Sequence, residues 1–468
     1  MAEKHIRLDS QFTTVCAFWA PEAIDDVCTG TLAVDKQGIT FTTAPKYSRQ
    51  MSAANLPSEI SFGGGVPTRL PVLHGFTEDG PCTLCQLIEI DHPGRKDFGL
   101  EQSIVATTYR AMVCVMGMHL GGVNDKCLNS ARYTFSGLSE WLPRAASESW
   151  EKEHIVLKVP LHERDIFAFG LRESRIDVSL KVFPELTNSE SDGGRLSRSV
   201  PYVEIGSADV ECLSWFRHIG NRLENLFSLL TGTSQSLEMI FVYRGEDGGQ
   251  IIEKRNTHAR PFDPRECVHC TASEIANSMA IWLCEPPRFR SVENLALGVV
   301  RKSKLFVETE FLSLAQALEG FHRATTQTHV SGKAAFRQVR KKIVKLLTEE
   351  SVEVGLAKRI CDSMAHANDP TFASRLTELC KRISGSLLAR MEIEPEHFVN
   401  DVVGTRNFYT HAGSNLLTGR KRSPVEGTQL FLLNQKMRAL LRGVMLLRLE
   451  IPEARLSDLL AREATRWR

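Results

Sequence analysis

The residues best suited to chemistry in this 468-residue chain are Arg406, Asn407 and His411, in the run Arg406-Asn407-Phe408-Tyr409-Thr410-His411. The flanking pattern predicts a helix over 395–412, with Pro395 in its first turn and Gly413 just past its end. On that helix Val399, Val402, Val403, Arg406 and Thr410 fall along one face. An arginine continuing an apolar stripe is costly unless its guanidinium has a partner or a task. Asn407 and His411 are four apart, one turn above each other. His411 falls in the last turn, where the helix dipole favours the imidazolium. Such a set suits phosphoryl transfer in RNA without a metal. The ribose 2′-hydroxyl is the nucleophile, so the protein need supply only proton transfer and charge stabilisation. A histidine titrating near neutrality moves the proton. An arginine fork holds the non-bridging oxygens as charge builds. Asn407 either orients His411 or binds the phosphate.

The spacing alone is a weak signal. With 38 Arg and 14 His in the chain, an arginine followed by a histidine after four to six intervening residues is expected about three times by chance. Among those that occur are Arg406/His411, Arg323/His329 and Arg359/His366. The first alone has asparagine directly after the arginine on a long predicted helix.

The elements around this run divide into two regimes. The first ~185 residues show short β-branched or alternating runs punctuated by turn residues such as Asp35-Lys36-Gln37-Gly38. They predict a β-rich, sandwich or barrel-like domain over 1–200. A mixed region follows over 201–300, with an amphipathic helix near 215–230 and a hairpin turning at 245–249. From about 274 the period is helical, and 301–468 reads as an all-α bundle. The expected fold class is therefore α+β multidomain, with the helical bundle last. Candidate helices cover 274–283, 308–323, 334–348, 352–366, 371–390, 395–412, 428–448 and 453–462.

Net charge is +1, but it is unevenly divided. Residues 331–468 carry 24 Lys/Arg against 15 Asp/Glu, +9, which leaves 33 against 41, −8, elsewhere. The bundle therefore suits an anionic partner. Arg420-Lys421-Arg422 could hold RNA phosphates or be a solvated loop. Arg337, Arg340, Lys341, Lys342 and Lys345 form a second basic cluster. The twelve cysteines are spread along the chain and read as reduced, mainly buried thiols. The pairs Cys82/Cys85 and Cys267/Cys270 are too far apart for usual zinc spacing. The second, with His269, is the better metal candidate, but the expectation is no metal and no cofactor. No apolar run reaches the ~20 residues a membrane helix needs, and no signal-like block opens the chain. A cytoplasmic protein is expected.

RNFYTH matches the Arg-Asn-x-x-x-His signature of HEPN-domain ribonucleases. GTLAVDKQGITF (30–41), LPVLHGFTEDGPCTL (70–84), GMHLGGVNDKCLNSARYTFSGLSEWL (117–142), ENLFSLLTGTSQSLEMI (224–240) and FLSLAQALEGFHR (311–323) extend the likeness. On these runs the chain resembles the ApeA-type family of bacterial anti-phage HEPN proteins. The resemblance implies a metal-independent endoribonuclease acting in abortive anti-phage defence, with Arg406 and His411 as the catalytic pair and Asn407 as accessory. It implies that Glu319 orients the arginine; the other reading is a solvated helix-face carboxylate. Tyr409 stacks on an RNA base or belongs to the core. The family also implies a homodimer with a composite site, single-stranded or loop RNA as target, and tRNA anticodon loops first among them. The β-rich domain would then sense an unknown phage trigger or restrain the nuclease. A different class stays open: a non-catalytic HEPN-like module that binds nucleotide or protein.

Overall fold

The computed structural model describes residues 11–43, 69–91, 107–142, 147–151, 154–158, 164–188, 195–253, 262–301, 305–326, 329–364, 367–410 and 424–465. Two compact units divide the chain: Met1–Leu226 with Gln235–Phe262, and Phe227–Ser234 with Asp263–Arg468.

In the first unit the chain begins with β1 (Phe12–Ala20), β2 (Ala23–Asp35), β3 (Gly38–Thr43), β4 (Arg69–Thr77) and β5 (Gly80–Asp91). It continues with β6 (Thr107–Ala111), β7 (Val113–Met116), β8 (Lys126–Phe135) and a short helix, α1 (Leu138–Trp141). Next come β9 (Ser147–Glu151), β10 (His154–Lys158), β11 (Arg164–Leu171), β12 (Ile176–Asn188) and β13 (Arg195–Cys212). Helix α2 (Leu213–Thr231), whose residues from Phe227 on belong to the second unit, leads to β14 (Leu237–Arg244) and β15 (Asp247–Ile252).

The strands β5-β4-β1-β2-β3-β6 are antiparallel neighbours, and β6 pairs back with β5. This closes a six-stranded barrel and removes its open edges. From β5 the sheet extends through β7, β15, β14, β8, β13, β12 and β11, while β9 and β10 form a separate hairpin. Alternation along β1 sends Cys16, Phe18 and Ala20 inward and leaves Val15 outside. Phe18, Leu32, Phe41, Leu73, Leu84 and Tyr109 fill the barrel. Gly75 is required beside them, because a Cβ there would lie 2.3 Å from the Phe18 ring. The predicted turn at 35–38 forms, with Asp35 Oδ1 accepting from the N–H of Gln37 (2.6 Å) and Gly38 (3.1 Å). The 245–249 hairpin is tighter than the five-residue turn expected, since Arg244 already pairs with Asp247.

The second unit is helical: α3 (Ala272–Cys284), α4 (Arg290–Arg301), α5 (Val307–Thr325), α6 (Lys333–Glu349) and α7 (Val354–Met364). Then follow α8 (Phe372–Cys380), α9 (Gly385–Arg390), α10 (Pro395–Thr410), α11 (Gly427–Arg448) and α12 (Glu453–Thr465). The single helix predicted over 371–390 is two. Ser384 Oγ accepts from Leu387 N–H (3.2 Å) and starts a new helix there. Helix α4 was not predicted; Pro286 and Pro287 precede it, yet Val292, Leu297 and Val299 are buried. Phe311, Leu314, Leu318 and Phe321 of α5 are fully buried, each contributing about 1.5–3 kcal/mol. A β-rich barrel unit followed by a helical bundle is the fold class the periodicities indicate. Among the described residues no helix is long and apolar enough to cross a membrane.

Candidate active site

Helix α10 buries Phe398, Val399, Val402 and Thr405. Thr405 Oγ1 accepts from Val425 N–H (3.0 Å), which ties the chain entering α11 to this helix. Arg406 flanks the buried stripe instead of continuing it, with its side chain 35% exposed. The stripe passes through Thr405 toward Tyr409, whose ring lies against Phe311 (6.1 Å) and Phe408 (5.4 Å). Burial, with Glu308 and Glu426 nearby, raises the Tyr409 phenol above its ordinary value. Asn407 is half-buried, and its side chain meets no hydrogen-bond partner among the described residues. His411, Arg420, Lys421 and Arg422 lie outside the described residues.

Two groups hold the Arg406 guanidinium. Nη2 donates to Glu319 Oε2 at 3.3 Å, and the guanidinium carbon stands 5.4 Å from the centre of the Phe372 ring. Glu319 is shared: its Oε1 accepts from Arg323 Nε (3.2 Å) and Nη2 (2.8 Å). A half-exposed ion pair is worth at most about 1 kcal/mol, and the aromatic contact about 0.5–1. Those sums are small for stability but enough to select one orientation. The other Arg406 N–H groups have no acceptor among the described residues, which leaves fork donors for an oxyanion.

Behind this pair sits a network that the sequence did not announce. His322 is fully buried, with Nε2 2.7 Å from Glu378 Oε2 and Nδ1 3.2 Å from Arg375 Nη1. A guanidinium can only donate, so Nδ1 accepts and Nε2 carries the proton; the imidazole is neutral. Arg375 also donates from Nε to Pro370 O (3.0 Å). The network joins α5 to α8 and so places Glu319 and Phe372 on either side of Arg406. One signal was available: Glu319, His322 and Arg323 are spaced i, i+3, i+4 on α5. Nothing local marks Phe372, Arg375 or Glu378. The competing pairs have other attachments: Arg323 on Glu319, and His329 Nδ1 3.8 Å from Asp369. His366 lies outside the described residues.

Burial depresses the His322 imidazole below its ordinary value; Glu378 opposes this, while Arg375 and Arg382 reinforce it. The folded chain then holds this proton less readily than the unfolded chain does. His322 therefore favours the fold above the unfolded value near 6.5, and that contribution declines as pH falls below it. His322→Gln keeps a donor for Glu378 and an acceptor for Arg375 but cannot titrate. Urea midpoints should show wild type losing stability relative to this variant between about pH 6.5 and 5. Parallel curves would refute the neutral, buried assignment.

Among the described residues no three His, Cys, Asp or Glu side chains are placed to hold a metal ion. Cys82 lies in the barrel core and Cys85, on the same strand, is buried outside it; burial pushes both thiols up to about 12. Cys267 is buried and Cys270 half-buried, the latter also raised to about 12 by burial, while His269 is exposed. A cavity of roughly 370 Å³ is lined by Glu392, Asp401, Glu426 and Lys436. Three carboxylates around one ammonium make it unsuited to phosphate.

Two family profiles match the chain. ApeA N-terminal domain 1 matches residues 16–283, and Apea-like HEPN matches residues 312–455. No curated protein and no solved structure matches. The second match contains Glu319, Phe372, Arg375 and Arg406, and the first spans more than half of the chain. The chain therefore belongs to the ApeA-type family of HEPN anti-phage proteins.

Proposed function

We propose that this chain is a metal-independent endoribonuclease that cuts single-stranded or loop RNA, tRNA anticodon loops foremost, in abortive anti-phage defence. The observation that carries the reading is Arg406: held by Glu319 and Phe372, with donors that meet no acceptor among the described residues, one residue before Asn407 and five before His411. The 2′-oxygen attacks the adjacent phosphorus as the 2′-hydroxyl loses its proton. The bond from phosphorus to the 5′-oxygen then breaks, and that oxygen is protonated. A 2′,3′-cyclic phosphate and a 5′-hydroxyl result. His411 moves one of the two protons, and Arg406 holds the non-bridging oxygens as charge builds. Asn407 precedes His411 by four positions in sequence and can orient the imidazole or hold phosphate. A homodimer would set two such pairs across one cleft, and the barrel unit would sense infection or restrain the nuclease.

The test is growth and total-RNA integrity in phage-challenged cells carrying wild type, Arg406→Ala or His411→Ala. The reading requires a discrete RNA class to be cut by wild type and spared by both folded variants. Equal protection by all three with no RNA cut would instead establish a non-catalytic binding module. Glu319 acts through Arg406 as a positioning residue. Glu319→Ala should lower kcat by about 10²-fold through misplacement of the guanidinium, with KM and melting temperature little changed. A rise in KM at constant kcat would show that Glu319 contributes to binding instead.

A further inference from the structure

Between α5, which carries Glu319, and α8, which carries Phe372, the chain leaves the bundle as α6 and α7. Neither helix buries a residue. At 3.6 residues per turn, Lys333, Arg337, Arg340, Lys341 and Lys345 share an arc of about 140° along α6, spanning about 18 Å. Phe336, Val339, Ile343, Leu346 and Leu347 occupy a separate arc of about 100°. Phe336, Ile343 and Leu347 are half-covered, as are Ala357, Ile360 and Met364 of α7. All five cations are exposed. Of them Lys345 alone meets a carboxylate among the described residues, Glu349 at 3.3 Å. A row of cations on a solvent-exposed helix, with one carboxylate partner among the described residues, costs self-repulsion and adds nothing to packing, so its complement is a polyanion.

The base of this arm is clasped. Asn368, 7% exposed, accepts on Oδ1 from Ser331 N–H (2.8 Å) and Oγ (3.0 Å). It donates from Nδ2 to Ser331 O (3.0 Å), and its carbonyl accepts from Val330 N–H (2.9 Å). Two residues beyond Asn368, Pro370 O accepts from Arg375 Nε, and Nη1 of the same arginine donates to His322 of α5. The clasp therefore roots the basic row in the network that positions Arg406.

We propose that the α6–α7 arm is an RNA-backbone grip, whose α6 cations hold phosphates of the strand entering at Arg406. The proposal rests on the RNA reading above, but it concerns binding and not the cut. The row supplies affinity without base specificity, because phosphate contacts position a strand and do not read its sequence.

The test uses the full-length protein and a fluorescein-labelled single-stranded 2′-O-methyl RNA, which lacks the nucleophile and cannot be cut by this chemistry. Binding is followed by anisotropy from about 50 to 200 mM salt, where phosphate contacts dominate the salt dependence. Arg337→Gln/Arg340→Gln/Lys341→Gln should weaken binding at least tenfold at the low-salt end and flatten the logarithmic salt slope by about 2, near 0.7 per lost contact. Lys36→Gln/Arg110→Gln/Arg172→Gln, the same charge change on the barrel unit, should leave both nearly unchanged. Equal affinity and slope for the arm variant and wild type, with matching circular dichroism and melting, would overturn the proposal. Equal losses in both triple variants would overturn it too, by showing a general charge effect. So would binding of wild type to phosphatidylserine vesicles or polyglutamate with none to RNA. Arm-dependent RNA binding in a protein that cuts no RNA would keep the grip and reject the nuclease.

Discussion

Arg406→Ala is expected to lower RNA cleavage by about 10²–10³-fold, the usual loss when one donor to a developing oxyanion is removed, while the protein stays folded. The two effects separate because the side chain is peripheral. Its ties are one half-exposed ion pair to Glu319 and one face contact with Phe372. Together they are worth no more than about 2 kcal/mol, against a usual stability of about 5–15. Arg406→Lys should recover little of the lost rate, because an ammonium keeps the charge but not the planar fork. In vitro cleavage of a defined RNA, paired with a thermal melt, reads both. Full cleavage by a folded alanine variant would remove Arg406 from the proposed chemistry.

The largest stability loss is expected elsewhere in the helical unit. Arg442, 5% exposed, donates from Nε to Leu229 O (3.0 Å) and from Nη2 to Leu230 O (3.2 Å) and Glu266 O (2.8 Å). Its Nη1 reaches Glu463 Oε2 at 3.1 Å. Leu229 and Leu230 lie in the last turn of α2, where carbonyls have no donor of their own within the helix. Arg442→Ala removes a buried donor from three carbonyls, of which Leu230 O keeps Val268 N–H (2.9 Å), and takes the cation from one mostly buried carboxylate. A loss of roughly 3–5 kcal/mol follows, the range for a buried charge stripped of its partner. Arg390→Ala provides the contrast. Its partner Asp458 is 2.5 Å away, but the two side chains are 49% and 76% exposed, so water replaces the pair at nearly no cost. Urea denaturation of the two variants side by side checks the argument. An Arg442 variant as stable as the Arg390 variant would mean that water reaches those carbonyls.

Much of the architecture was legible from local rules. Pro395 and the apolar spacing after it placed the start of α10, and the Asp35–Gly38 turn was readable because its aspartate bonds its own backbone. The 371–390 helix was read as continuous because helical period alone does not register a serine that caps a second start. For α4 the adjacent prolines masked a short helix whose formation depends on the core it enters. The apolar spacing puts Arg406 on the buried stripe, one position off the face it occupies. The buried stripe runs through Thr405, and only packing against neighbouring helices decides which side of a helix faces inward.

The sequence by itself determined the two regimes of periodicity, the Arg406-Asn407-His411 spacing and the charge split between halves. Each is a property of neighbours within a few residues. Tertiary structure alone decided that β6 returns to β5 to close a barrel, that Phe372 lies under the guanidinium, and that His322 is locked neutral between Arg375 and Glu378. It also brought Glu319 to Arg406: the carboxylate lies 87 positions away in sequence yet accepts its hydrogen bond. Such pairings depend on how whole helices pack, and covalent spacing carries no record of that.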